Sequence, residues 1–184
     1  MASLKIRVAR PADAKALLAI YAPHVTGSSV SFEWELPSVA EFSLRITNIL
    51  KAYPWIVAED KSGILGYAYA ASYRSRTAYQ WSVETSVYIR EDQYRAGVGR
   101  KLYENLLAQL KKQHFTTAFA VITLPNEKSV KFHEALGFTY LCTYPKVGFK
   151  LNAWHDVGWW SLELNSMAKV PKMPLPFKEI FSNL

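Results

Sequence analysis

The spacing of apolar residues along the chain predicts seven strands and four helices. Alternation of apolar and polar residues is typical of strands, whereas apolar residues that recur every three or four positions are typical of helices. Strands are predicted at residues 4–8, 54–60, 64–73, 81–89 and 117–123, with two more inside residues 138–164. Helices are predicted to begin near Pro11, after Ser38, at residue 98 and after Asn126. The order β-α-α-β-β-β-α-β-α-β-β predicts one α/β domain with a mixed sheet.

Local signals predict where several of these elements begin and end. Ser38 and Glu41 have the spacing of a capping box, which starts a helix. Asn126 is a residue type that caps a helix start, and Gly137 suits the left-handed residue that ends a helix. Residues 22–37 contain two prolines and a glycine, so we predict a loop there.

Length and composition are those of one folded domain. The chain has 184 residues, of which 50% are hydrophobic and 20% are charged, a size and balance that allow a buried core. We assign residues 1–165 to the domain and residues 166–184, which contain three prolines, to an extended C-terminal tail. Cys142 stands alone, so no internal disulfide is possible, and no apolar stretch of about 18 residues suggests a membrane span. We expect a cytoplasmic protein without a signal peptide or a membrane contact.

The charge balance favours an anionic ligand. The 22 basic and 15 acidic residues give a formal net charge of +7, and a positive balance attracts anions. The lysines and arginines are scattered and form no run typical of nucleic-acid binding. We therefore expect a local site for a phosphorylated ligand and no binding to nucleic acid. The sequence also lacks a spaced set of histidine, cysteine and carboxylate side chains, so no metal site is predicted.

Residues 87–102 carry the most informative motif. Their sequence, VYIREDQYRAGVGRKL, runs from a strand through a loop with Gly97 and Gly99 into a helix. Glycines let the backbone approach a ligand closely, and free N–H groups at a helix start bind phosphate. The loop has a single G-x-G and lacks the Gly-Lys-Ser/Thr of a P-loop. From these residues alone, a phosphate site and an ordinary strand–helix turn are equally compatible with the motif.

The loop resembles the acetyl-CoA loop of the GNAT acetyltransferases, Q/R-x-x-G-x-G/A, with Tyr94 departing from its first position. Segments 53–60, 78–89, 124–138, 147–160 and 174–180 are similar to the phosphinothricin-type members of that family. The resemblance implies the GNAT fold, a mixed and mostly antiparallel sheet flanked by helices, with a V-shaped split that holds acetyl-CoA. It implies that acetyl-CoA is bound by Val87, Tyr88, Ile89, Arg95, Ala96, Gly97, Val98, Gly99, Arg100, Asn126 and Ser129.

Glu84 is the candidate general base. Alternation places it on one strand face with Ser82, Ser86 and Tyr88, in a strand rich in valine and aromatic residues. Partial burial raises the pKa of a carboxyl group toward a value that suits removal of a proton from an amine. From the residues alone, a solvated or ion-paired glutamate is the more common outcome. The resemblance reverses this preference, because phosphinothricin-type enzymes place a catalytic glutamate here. It also implies that a backbone N–H of residues 87–89 binds the oxyanion.

His133 is the second catalytic candidate, at the end of N-x-x-S-x-x-x-H from Asn126. Many GNAT enzymes have a tyrosine at this position and use it to protonate the leaving thiolate. A histidine can donate a proton as well. A packed histidine that only satisfies a neighbour is an equal alternative.

The amino-acid substrate requires groups that bind an acid. The fork of an arginine suits carboxylate and phosphinate groups, although isolated loop arginines are usually solvated and aromatic residues are more often in the core. The candidates for this site are Phe32, Arg74, Arg76 and Tyr79. Lys146 and Lys150 flank the V-G-F-K turn and are further candidates to help hold the acid, although a surface position is the favoured expectation.

The expected function is transfer of acetyl from acetyl-CoA to the amino group of phosphinothricin (glufosinate) or a similar small amino acid, by a homodimer. Methionine sulfoximine and methionine sulfone present a similar tetrahedral polar centre and remain open as substrates. A protein N-acetyltransferase is less favoured because it needs an open peptide groove. A non-catalytic acetyl-CoA sensor is less favoured because Glu84 is intact.

Overall fold

The computed structural model describes residues 4–180, and a single sheet organises them. The strands within this range are β1 (Lys5–Val8), β2 (Trp55–Asp60), β3 (Gly63–Ser72), β4 (Ser82–Ile89), β5 (Thr117–Leu124), β6 (Thr139–Lys150) and β7 (Ala153–Glu163). They lie in the order β1-β2-β3-β4-β5-β7-β6. Strands β4 and β5 run parallel, and the other neighbouring strands run antiparallel. The predicted mixed, mostly antiparallel sheet is confirmed.

Helices cover both faces of the sheet. Those in the described residues are α1 (Ala14–Thr26), α2 (Val39–Ile49), α3 (Val98–Lys112), α4 (Glu127–Glu134) and α5 (Phe177–Ile180). Helices α1 and α2 share one buried cluster with β2 and β3, while α3 shares a second cluster with the other face. Each fully buried leucine of α3 contributes about 1.5–3 kcal/mol. No helix within residues 4–180 has the length and apolar character of a membrane span.

The predicted helix ends are confirmed by the hydrogen bonds around them. The Glu41 N–H donates to Ser38 Oγ at 3.2 Å, and the Ser38 N–H donates to the Glu41 carboxylate at 2.7 Å, which is the reciprocal pattern of a capping box. The Ser129 N–H donates to Asn126 Oδ1 at 3.1 Å at the start of α4. Gly137 has a φ of 92° just after that helix.

The first connecting loop is shorter than its sequence predicts. Residues 22–26 were expected in a loop because of Pro23, but α1 continues to Thr26. Leu17, Tyr21 and Val25 recur every four residues, and all three are buried. Their burial outweighs the single backbone donor that the proline removes. The loop between α1 and α2 is therefore residues 27–38.

The chain after β7 lies against the end of α3 and the start of β4. Residues 164–176 form neither helix nor strand. The Leu175 N–H donates to the Gln113 carbonyl at 3.0 Å, and Trp81 Nε1 donates to the Lys172 carbonyl at 2.8 Å. Residues 181–184 of the predicted tail lie outside the described residues. The contact at Trp81 brings this segment close to the strand that carries Glu84.

Candidate active site

A cleft opens where β4 and β5 separate. The two strands pair over three residue pairs, of which the last is Glu84 with Phe119. Beyond this point β4 continues to Ile89 beside β3, and β5 continues to Leu124 beside β7. In the described part of the chain, the edge of β4 that faces β5 has no strand partner after Glu84. Its backbone N–H and C=O groups there are free to bind a ligand.

The residues of β4 face two different environments, as alternation predicts. Val83 lies in the buried cluster with α3, and Val87 packs against that cluster. Tyr88 packs against the cluster of α1 and α2, on the opposite face. Glu84, an even-numbered residue, shares the face of Tyr88. The candidate base is therefore on the α1–α2 side of the sheet, beside the apex of the split.

Glu84 lies half-buried beside Arg74. Its side chain is 34% exposed, and Arg74 Nη1 donates to Glu84 Oε1 at 3.3 Å. Burial raises the pKa of Glu84, while the Arg74 guanidinium opposes this rise. A carboxyl group with a raised pKa is suited to exchange protons with an amine near neutral pH.

Aromatic rings hold the Arg74 guanidinium in place. Its central carbon lies 4.4 Å from the ring centroid of Tyr73 and 5.4 Å from that of Trp159. Tyr73 also stacks on Phe119, with a centroid distance of 4.5 Å, and meets Tyr79 edge-on at 5.6 Å. Cation–π contacts of this kind fix the plane of a guanidinium. Arg74 is thus an oriented cation next to Glu84.

The other candidates for the substrate site are spread around this pair. Tyr79 is 42% exposed and contacts Tyr73, one of the two rings beside the Arg74 guanidinium. Arg76 is exposed and caps the short turn that contains Tyr79. Phe32, on the loop between α1 and α2, packs against Gly148 of β6. The structure thus brings Arg74 and Tyr79 together through Tyr73, whereas Phe32 contacts β6 at Gly148, near the end of that strand.

His133 belongs to a buried hydrogen-bonded chain that reaches the apex of the split. His133 is 5% exposed, and its Nδ1 lies 2.8 Å from the Ser129 carbonyl oxygen, with Ser129 Oγ a weaker contact at 3.3 Å. His133 Nε2 lies 2.9 Å from the Tyr103 hydroxyl, which lies 2.7 Å from Thr85 Oγ1. Thr85 Oγ1 donates to the Phe119 carbonyl at 3.0 Å. The chain therefore bridges the two strands at the apex of the split. It runs from Thr85 of β4, one residue beyond the last pair, to Phe119 of β5, which belongs to that pair.

The number of hydrogens in this hydrogen-bonded chain depends on the charge of His133. It has four links and ends on two carbonyl oxygens, which only accept, so four hydrogens are needed. A neutral imidazole, a phenol and a hydroxyl supply one each, and an imidazolium supplies the fourth. Burial lowers the pKa of His133, and the Ser129 carbonyl opposes this effect. Loss of the His133 proton leaves one link of the chain without a hydrogen.

The start of α3 has the features of an anion site. Gly97 has a φ of 78° and is the N-cap of α3, without a side chain to cap the first N–H groups. Arg95 also has a positive φ, of 66°, so the loop turns back sharply just before the helix. The first N–H groups of a helix have no partner within it and, with the helix dipole, favour an anion. Residues at this loop therefore fit a phosphate group.

Side chains around this loop add positive charge at its mouth. Lys128 Nζ lies 5.8 Å from the ring centroid of Tyr94, which is exposed. The Arg100 guanidinium donates to Glu104 at 3.2 Å and to the Ala135 carbonyl at 3.3 Å. Arg100 thus offers its backbone N–H at the helix start, while its guanidinium joins α3 to the end of α4.

Lys150 is not at the surface, and that expectation is wrong. It is 3% exposed, and its Nζ donates to the Val25 and Ser31 carbonyls, each at 2.6 Å. Both acceptors are more than 100 residues away in sequence, so no local pattern predicts the contact. Lys146, on the same strand, is exposed as expected.

Two residues of the buried chain were also missed. Thr85 lies on the apolar face of its strand with Val83 and Val87, where a buried hydroxyl needs a partner. Tyr103 lies in the apolar stripe of α3, and its hydroxyl needs a partner as well. A search for buried hydroxyls in apolar stripes identifies both residues, although it does not show that they meet.

Known proteins with similar sequences and structures identify the family of the chain. Residues 6–159 match the family described as acetyltransferase (GNAT) domain. A phosphinothricin N-acetyltransferase of Streptomyces viridochromogenes is 37% identical over 177 residues, covering 96% of this chain and 94% of that protein. An L-methionine sulfoximine/L-methionine sulfone acetyltransferase of Pseudomonas aeruginosa is 32% identical, covering 92% of this chain and 99% of that protein. A crystal structure of a GNAT superfamily phosphinothricin acetyltransferase from Sinorhizobium meliloti in complex with acetyl-CoA has a TM-score of 0.87 at 33% identity, covering 92% of this chain and 93% of that one.

Proposed function

The chain belongs to the GNAT family of acetyltransferases and is an acetyl-CoA-dependent N-acetyltransferase, and we propose that it acetylates the amino group of phosphinothricin or of a similar small amino acid. One observation carries the choice of acceptor. Glu84, with a raised pKa, lies at the apex of the split beside the Arg74 guanidinium, which contacts the rings of Tyr73 and Trp159. A base next to an acid-binding cation suits a substrate that has an amino group and an acidic group close together.

Glu84 acts as the general base in this proposal. It accepts a proton from the ammonium group of the substrate, directly or through one water, and so frees the nitrogen lone pair. The nitrogen attacks the thioester carbonyl, the new C–N bond forms and the C–S bond breaks. The backbone N–H of Val87 or Ile89, which alternation directs to the unpaired edge of β4, donates to the carbonyl oxygen as negative charge develops on it.

Arg74 binds the acidic group of the acceptor. A guanidinium forms two parallel hydrogen bonds with a carboxylate or a phosphinate. Tyr73 and Trp159 hold its plane before the substrate arrives, so little freedom is lost on binding. Arg76 adds positive charge at the rim, and Tyr79 is the aromatic wall on the side of Arg74. Phe32, which contacts Gly148 and not this pair, is proposed as a second wall on the side of the loop of residues 27–38.

His133 supplies the proton that the leaving thiolate takes up. The step uses His133 as the imidazolium, which its lowered pKa makes the rarer form near neutral pH and a readier proton donor when it is present. Because both ring nitrogens of His133 already have partners, we propose that the proton moves through Tyr103 and Thr85 to the apex of the split. The imidazolium becomes neutral, and the chain changes from four hydrogens to three. Proton transfer along such a chain needs only small movements of each hydrogen.

The loop before α3 binds the pyrophosphate of acetyl-CoA, and the unpaired edge of β4 binds its pantetheine arm. The φ of Gly97 and the uncapped N–H groups of α3 support the first assignment. Asn126 and Ser129 begin α4, next to the same loop. The full set of proposed cofactor-binding residues is Val87, Tyr88, Ile89, Arg95, Ala96, Gly97, Val98, Gly99, Arg100, Asn126 and Ser129.

We also propose that the enzyme is a homodimer that works in the cytoplasm. The hairpin of β6 and β7 carries large apolar side chains that are each at least 40% exposed: Tyr140, Leu141, Tyr144, Val147, Phe149, Leu151 and Trp154. An apolar surface of this kind suits a second copy of the chain. The single cysteine fits a reducing compartment.

A substrate panel tests the proposed function. Free thiol released from acetyl-CoA is measured with phosphinothricin, methionine sulfoximine, methionine sulfone and a generic peptide, for the native enzyme and for Glu84→Gln. We expect turnover with phosphinothricin that collapses in the variant. Turnover with methionine sulfoximine or methionine sulfone alone would change the proposed substrate and leave the proposed mechanism in place. Turnover with the peptide alone, or tight acetyl-CoA binding without any turnover, contradicts the proposal.

A further inference from the structure

The β6–β7 hairpin holds the loop of residues 27–38 in place through contacts that take no part in the proposed reaction. We propose that Lys150 is a positioning residue, which fixes this loop beside the acceptor site and thereby determines the affinity for the amino-acid substrate. The inference rests on the proposed function, since it assumes that the acceptor binds near Glu84 and Phe32.

Lys150 joins the hairpin to the end of α1 and to the loop that follows it. Its Nζ donates to the Val25 carbonyl in the last turn of α1 and to the Ser31 carbonyl inside the loop, each at 2.6 Å. Helix ends leave backbone carbonyls without intrahelical partners, so a buried cation is a strong donor for them. The Lys150 carbonyl in turn accepts from His155 Nε2 at 3.0 Å, which fixes the strand that carries the lysine.

The burial of Lys150 has a cost that these bonds must offset. Burial lowers the pKa of its ammonium group, while the charge of Glu33, inside the same loop, opposes this effect. A buried amine without partners is strongly unfavourable. A short bond to the Ser31 carbonyl therefore holds the loop to the hairpin, and a loop that moves away leaves the Lys150 ammonium with one acceptor fewer.

A second contact between hairpin and loop depends on a glycine. A Cβ atom on Gly148 would lie 2.2 Å from the ring of Phe32, so a larger residue at this position would displace the ring. The Phe32 ring centroid is 6.2 Å from that of His155, and Trp34 lies 6.4 Å from Phe149. The position of Phe32, a proposed wall of the site, thus follows the position of the hairpin.

The loop lies on the same side of the sheet as the proposed base. Tyr69, on β3, shares this face, and its partner across the strands is Ser86, two residues from Glu84. Burial raises the pKa of Tyr69, and the charges of both Glu33 and Glu84 contribute in the same direction. On this face the Ser31 hydroxyl of the loop lies 2.6 Å from the Tyr21 hydroxyl, and the Tyr21 ring centroid is 5.0 Å from that of Tyr88, which shares the face of Glu84. A displaced loop changes the acceptor site and leaves the acetyl-CoA loop before α3 unaffected.

Two lysine-to-methionine variants test the proposal. Lys150→Met removes the donor and keeps much of the side-chain volume, and Lys146→Met makes the same change at an exposed position of the same strand. For Lys150→Met, we expect KM for phosphinothricin to rise about tenfold or more and KM for acetyl-CoA to stay within about twofold. Backbone amides of residues 27–37 should exchange with deuterium faster than in the native enzyme, while Lys146→Met should resemble the native enzyme in each respect.

A further variant guards against a simple folding defect. Gly148→Ala leaves Lys150 intact and displaces the Phe32 ring, so it should also raise KM for the amino acid and spare KM for acetyl-CoA. Equal changes in both KM values, or unchanged exchange in the loop of Lys150→Met, would overturn the inference. The exchange measurement needs no substrate, so it distinguishes this failure from failure of the proposed function, in which the native enzyme acetylates none of the amino acids.

Discussion

Replacing Thr85 with valine removes one hydroxyl from the chain that bridges β4 and β5. Valine has nearly the same shape, so the packing against α3 is preserved. The Phe119 carbonyl loses its donor, and the Tyr103 hydroxyl loses its neighbour at 2.7 Å. Thr85 is buried, so water cannot replace these bonds without a change in the structure.

The expected cost follows from the bonds that are lost. Each buried hydrogen bond contributes about 1 kcal/mol net, and the unsatisfied carbonyl adds a desolvation penalty, which gives a loss of about 2–3 kcal/mol in the free energy of unfolding. For a domain of this size, that loss lowers Tm by about 4–12 °C. Because the proposed route for the proton is also broken, kcat should fall about tenfold or more.

Urea denaturation and steady-state kinetics of the same protein samples measure both effects. Thr139→Val is the matched control, since Thr139 is exposed on β6 and its Oγ1 donates to the Ser161 carbonyl at 3.3 Å; its stability should change by less than about 0.5 kcal/mol. A Thr85→Val enzyme with native stability would show that the hydrogen bonds of Thr85 do not stabilise the fold. Lower stability with unchanged kcat would refute the proton route and leave the structural role.

Three other changes test separate parts of the site. Glu84→Gln should lower kcat by about 100-fold or more because an amide cannot accept the proton, while Glu163→Gln, at the exposed end of β7, should keep native turnover in the same thiol-release assay. Arg74→Met should raise KM for the amino acid about tenfold. Because the Arg74 guanidinium opposes the rise in the pKa of Glu84, its removal should also move the acidic limb of kcat/KM to higher pH, and a shift to lower pH would contradict this assignment. Gly97→Ala places a side chain at a φ of 78°, at a strain of about 1–2 kcal/mol, and should raise KM for acetyl-CoA, whereas Gly63→Ala, at a φ of 105° in the first residue of β3, should not.

Periodicity was sufficient to predict most of the fold. The alternating face of β4 and the caps at Ser38 and Asn126 are local features, and local sequence determines them. The extent of α1 was wrong because Pro23 was given more weight than the buried Val25. At that position, packing against the sheet outweighed the missing donor.

The site was less predictable where its contacts join distant parts of the chain. Glu84 was proposed from its strand face and from a family resemblance, but its pairing with Arg74 depends on where the loop after β3 folds back. Lys150 bonds to carbonyls 119 and 125 residues away. Every residue has a backbone carbonyl, so the sequence does not reveal which carbonyls will meet the lysine. Contacts of that kind follow from the tertiary structure alone.

The pH dependence of kcat/KM for phosphinothricin tests the central claim most directly, namely that Glu84 deprotonates the amino group of the acceptor. In the native enzyme, we predict an acidic limb above the usual range of a glutamate, because burial raises the pKa of Glu84. In Glu84→Gln, the residual activity should lack this limb and keep only the limb that belongs to the amino group of the substrate. An acidic limb that persists unchanged in Glu84→Gln, at native turnover, would contradict the account.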